Sequence, residues 1–128
     1  MVEVSKSKFE LERTVELILE KATEAGWRVP AIHDLMQTLS SVGIAVDPVK
    51  VIELCSPTIA ADLLISDDMR HYSALMPCRV SVFQNRLGET YISRLSVSAM
   101  SQMAESNVGA TMARAAADME KIIAGLIE

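Results

Sequence analysis

The sequence holds little that names a reaction. It has no glycine-rich phosphate loop, no Gly-x-Ser-x-Gly, no His-Glu-x-x-His and no paired Asp cluster for magnesium, which disfavours nucleotide hydrolysis and hydrolase chemistry. Basic charge is in the minority, with 12 Lys and Arg against 17 Asp and Glu and a net charge of −5. The basic residues are scattered rather than clustered, so no nucleic-acid partner is expected, because phosphate binding draws on a concentrated cationic surface. Apolar runs are too short to cross a bilayer, and Met1 to Lys6 lacks an apolar signal core, giving the expectation of a cytoplasmic protein with no membrane partner. Cysteine is scarce, at two, and neither belongs to a Cys-x-x-Cys. In a reducing compartment they are expected to be free thiols.

What is present describes a folded domain. Half of the 128 residues are hydrophobic and 23% are charged, which suits a single domain over 1–128 that buries a core without obligatory disulfides or metals. Val2 to Lys6 alternates as a short strand, and Ser7 to Glu10 has capping-box spacing for a first helix. Leu11, Val15, Ile18, Ala22 and Ala25 form its apolar stripe, and Gly26 suits its left-handed cap. Trp27, Val29 and Ala31 predict an edge strand with His33 just beyond its end, and Asp34 starts a short helix that Gly43 stops. Val49 to Cys55 is the strongest strand, and Ser56-Pro57 opens a helix to about Leu64. Cys78 to Phe83 and Thr90 to Leu95 read as a hairpin, followed by a long Ala- and Met-rich helix broken near Asn107-Val108-Gly109. The pattern predicts an α+β fold, an antiparallel or mixed sheet with helices packed on one face.

The cysteines are the place to look for chemistry. Cys55 precedes the helix opened by Pro57, where unpaired N–H groups and the dipole favour a thiolate, although a buried apolar role fits equally. Cys78 follows Pro77 at the start of its strand. If the two strands pair antiparallel, Cys55 and Cys78 become neighbours able to share a metal or form a reversible disulfide, although their 23-residue separation matches no zinc motif. His33 follows a strand that is expected to run parallel to Val49–Cys55, so Cys55, Cys78 and His33 form a candidate soft-metal set, with local hydrogen bonding the plainer role for His33. Glu53 shares the Cys55 side of its strand by alternation, with Arg79 and Arg94 as candidate partners. His71 reads as a surface residue. The methionines at 100, 103, 112 and 119 invite haem or copper ligation, but their helical spacing among Ala, Ile and Leu reads as adaptable packing. The small residues from Gly109 to Ala117 favour a helix-mediated dimer.

Three motifs, Gly26-Trp27-Arg28-Val29-Pro30 with Ile32-His33-Asp34, Val51 to Pro57, and Met76-Pro77-Cys78-Arg79-Val80, resemble the domain-of-unknown-function 302 family, in a branch carrying both cysteines. The resemblance runs from the first helix through the hairpin. It implies a TATA-box-binding-protein-like α+β fold, a curved, mainly antiparallel sheet of about four to five strands, as a homodimer. Fold alone does not decide function. Three readings follow: a dimeric ligand-binding or thiol-redox protein whose rim site at Cys55, Cys78, Glu53, His33 and Arg79 holds a small ligand such as a metal, haem or sulfur species; a thiol-dependent enzyme with Cys55 as nucleophile and Arg79 holding an anionic substrate; and a structural or accessory dimer with core cysteines.

Overall fold

The strands Val2–Lys6 (β1), Ile32–Asp34 (β2), Val49–Leu54 (β3), Cys78–Gln84 (β4) and Thr90–Leu95 (β5) form one antiparallel sheet in the order β1-β5-β4-β3-β2. The computed structural model describes residues 1–128 apart from the side chain of Ser106. Helices α1 (Leu11–Glu24), α2 (Leu35–Ser40), α3 (Pro57–Leu64), α4 (Val97–Ser101) and α5 (Ser106–Ile123) complete the fold, with a 3-10 segment over Arg70–Leu75. Among the described residues no helix is long and apolar enough to cross a membrane.

Strand alternation divides the sheet into two faces. Ile52, Leu54, Val80, Val82 and Ile92 point to one face and are fully buried with Leu11, Val15 and Ile18 of α1 and Met119, Ile122 and Ile123 of α5. The other face carries half-buried Val51, Ser81 and Ser93, with Phe83 and Tyr91 stacked at 5.7 Å. Helices therefore cover one face, as the α+β pattern predicts. On β5 the inward positions are Thr90, Ile92 and Arg94, and Arg94 is the one charged residue among them. Its guanidinium donates two 2.8 Å hydrogen bonds to Glu120 on α5 and a third to Ser5 Oγ on β1, so the buried charge is paired and joins three elements.

Several boundaries differ from the sequence expectation. Helix α1 starts at Leu11 with Glu10 as its cap, the carboxylate accepting from the Glu12 and Arg13 amides. Ser7 does not cap it, because its hydroxyl lies against Thr14 Oγ1 in the interior. At the other end Gly26 adopts φ +81, and the Trp27 amide donates to the Ala22 carbonyl, which closes the helix and turns Trp27 inward. The stretch after Trp27 makes one bridge, Arg28 to Cys55, and the true strand is Ile32–Asp34. It runs antiparallel to β3, not parallel, and His33 lies within it opposite Val51.

The break in the C-terminal helix falls before Ser106 rather than at Gly109. A Cβ at Gly109 would stand 2.5 Å from the Ser101 carbonyl oxygen and 2.6 Å from that of Ala104. Glycine thus lets α5 pack directly beneath the end of α4, a close approach rather than a helix stop. Ala115 and Ala116 face this chain's own core.

Candidate functional site

Antiparallel pairing of β3 with β4 brings the end of one strand to the start of the other, and Cys78 stands opposite Leu54. Its side chain therefore shares the buried face with Leu54, Val80 and Val82. Strand β3 ends at Leu54, and a pair of backbone hydrogen bonds between Arg28 and Cys55 holds the next residue as the chain turns into α3. Pro57 sits at the first turn of that helix, where its missing N–H leaves no partner wanting. Ser56, the cap residue, makes no side-chain hydrogen bond to the helix amides.

Cys55 and Cys78 line one small cavity of about 30 Å3, with apolar walls that include Trp27, Ile59, Met76 and Met112. Both thiols are free and partly buried. A second cavity of about 250 Å3 opens on the far side of Cys78, between the start of β4, the end of β5 and α4. Met100, Met103 and Met119 face it, and Arg79 stands with them on its wall. Burial pushes the Cys78 thiol from 9.0 up to about 11, and the charge of Cys55 adds to the rise. Cys78 is therefore a neutral thiol near pH 7.

The remaining candidates gather on the opposite face. His33 Nε2 lies 3.1 Å from Glu53 Oε2, and Arg79 Nε lies 4.0 Å from the same oxygen. Cys55 does not share the Glu53 side that strand alternation predicts for it, because the β3–β4 ladder ends at Leu54, between them. Glu53 and His33 stand away from the thiols, and Cys55, Cys78 and His33 are not brought together as one ligand set. Among the described residues no group of three or more His, Cys, Asp or Glu side chains is arranged to hold a metal. Arg79 belongs to both places, paired with Glu53 yet reaching the cavity beside Cys78. Arg94 is committed to Glu120, and His71 is exposed beside Tyr72 as the sequence suggests.

The cavity walls were not legible in sequence. Trp27, Met76 and Met112 come from three separated segments, and their only early signal was apolar character. What the assembled site offers is two thiols in one apolar pocket with methionines lining it and the adjoining cavity, and Arg79 at the wall of the larger one. That set suits a small, soft, polarisable ligand, since thiols and thioethers are soft donors.

No curated protein matches the sequence. Among solved structures, the chain is similar to the crystal structure of an uncharacterized conserved DUF302 protein from Bacillus stearothermophilus, with a TM-score of 0.75 over 97% of this chain and 93% of that one. At 22% identity that likeness speaks for the fold. Residues 2–126 match the family described as domain of unknown function DUF302, and the chain belongs to that family.

Proposed function

We propose that this chain is a small ligand-binding protein that takes its ligand through Cys55 and Cys78. One observation carries the reading: both thiols line the same apolar cavity, although 23 residues separate them in sequence. The volumes on either side of Cys78 lie below the roughly 300–1,000 Å3 of pockets that enclose organic ligands. They favour an ion or a ligand of a few atoms over an enclosed porphyrin. The neutral Cys78 thiol speaks against nucleophilic catalysis at that residue at pH 7.

A second reading, reversible thiol oxidation, is favoured by the shared cavity. Exchange with an external disulfide would join the two sulfurs, with release of two thiols from that disulfide.

The family resemblance adds a homodimer. Six apolar side chains between residues 32 and 46, namely Ile32, Leu35, Met36, Val42, Ile44 and Val46, are exposed along the β2 edge and the segment after it. That concentration supports this surface as the place where a second copy docks.

Maleimide labelling of the folded, reduced protein, read residue by residue by mass spectrometry, tests the thiol site. Both cysteines are expected to react in the folded state, Cys78 the more slowly, with a change in the emission of Trp27, the only tryptophan. Two thiols that stay inert until urea unfolds the chain would overturn the reading.

A further inference from the structure

Resting on the thiol-site reading, one feature goes beyond it. Five of the eight methionines and both cysteines line the two adjoining cavities: Met76 and Met112 with the thiol pair, and Met100, Met103 and Met119 on the far side of Cys78. Methionine is an ordinary filler of irregular apolar interiors. Filler closes space, whereas here about 250 Å3 stays open against three thioethers and a thiol. Among the described residues, neither a carboxylate nor an imidazole lines either cavity.

We infer that the cavity between α4 and the start of β4 is a Cu(I) site, with Cys78 as the thiolate ligand and the thioethers of Met100 and Met103 completing the coordination. Softness selects the metal, because thiolate and thioether donors prefer Cu(I) to hard cations that demand oxygen. Charge selects the oxidation state. On binding, the Cys78 S–H bond breaks, its proton passes to water and an S–Cu bond forms, so one monovalent cation and one thiolate leave the apolar cavity with no net charge. A divalent ion in the same place would leave one uncompensated positive charge in an apolar cavity, which is unfavourable. Met119, fully buried on α5, forms the floor, while Met103 on the loop after α4 is only half-buried and stands at the entrance. No electron transfer is involved, because the ion enters and stays as Cu(I).

The test is anaerobic competition for Cu(I) between the full-length reduced protein and a chromogenic Cu(I) chelator. The wild type is expected to hold one Cu(I) per chain, and Zn(II) is expected not to displace it. The paired substitution Met100→Leu with Met103→Leu keeps volume and apolar character, and is expected to weaken binding at least tenfold. Cys78→Ser is expected to weaken it at least a hundredfold, and Leu87→Ala, exposed in the turn between β4 and β5 and away from the site, to leave it unchanged. Binding by the methionine variant within twofold of the wild type would overturn the Cu(I) inference, and so would a wild type that cedes all its copper to a weak chelator. The thiol-site reading stands or falls separately on the labelling experiment. Should the methionine variant misfold, methyl-labelled wild type decides the matter. Resonances of Met100 and Met103 that move on adding Cu(I) support the site, and resonances that stay in place overturn it.

Discussion

Cys78 faces Leu54 across the β3–β4 ladder, one residue short of Cys55. That register turns the Cys78 side chain toward the helices, into the company of Val80 and Val82, and leaves Cys55 beyond the end of the ladder where the chain bends into α3. The two thiols meet in one cavity by different routes: Cys78 by strand alternation, Cys55 by the turn that the bridge to Arg28 holds.

The first prediction follows from the Cys78 thiol, which burial pushes up to about 11. Site-resolved alkylation of the metal-free, reduced protein should show the Cys78 rate still climbing above pH 10, and a rate that levels off near pH 9 would refute its burial. The folded state holds this proton more tightly than the unfolded chain. Stability therefore stays level below pH 9 and falls as pH rises from 9 toward 11, by at most roughly 2–3 kcal/mol from this group.

The Arg94–Glu120 pair gives the second. Arg94→Ala removes a buried guanidinium that ties β5, β1 and α5 together and strands the Glu120 carboxylate. Because Glu120 keeps some contact with water, the loss is expected at roughly 2–4 kcal/mol in urea unfolding, toward the lower edge of what breaking a buried pair costs. Glu120→Gln, which retains one acceptor, should lose less. A change under about 0.5 kcal/mol for Arg94→Ala, the range of ordinary surface substitutions, would show that the pair contributes little.

Gly109→Ala is the third. In an exposed helix this change would stabilise by about 1 kcal/mol. Here the new methyl would press on the Ser101 and Ala104 carbonyls, and overpacking of about 1–3 kcal/mol is expected to win. Thermal unfolding at a higher temperature than the wild type would contradict the close approach of α4 and α5.

The fourth concerns assembly. Val42 and Ile44 are exposed by 70% and 52%, so replacing both with Asp should leave the fold intact while placing charge on the surface assigned to the second copy. Sedimentation velocity should report a dimer for the wild type and a monomer for the variant. A variant that sediments as the wild type does would move the interface elsewhere.

Much of the fold was legible along the chain because its signals are local. Val49 to Leu54 and the β4–β5 hairpin alternate with period two, and Ser56-Pro57 marks the start of α3. Capping was less legible. Ser7-x-x-Glu10 has the spacing of a capping box, yet the Ser7 hydroxyl is claimed by Thr14, seven residues on, and a spacing rule carries no information about that competitor. His33 went astray for a similar reason, since the direction and register of a three-residue edge strand are set by β3 rather than by its own sequence.

By itself the sequence determined the element types, the apolar faces, the acidic balance and the presence of two thiols near strand ends, all properties of residues and their immediate neighbours. Tertiary structure alone decided which side chains share a cavity. It separated Glu53 and His33 from the thiols by one step of strand alternation, and it gathered methionines from positions 76 to 119 around Cys78. The physical reason is that a sheet has two faces and a register. A shift of a single residue exchanges those faces, and no local pattern beyond the end of a strand records which face the chain will turn to.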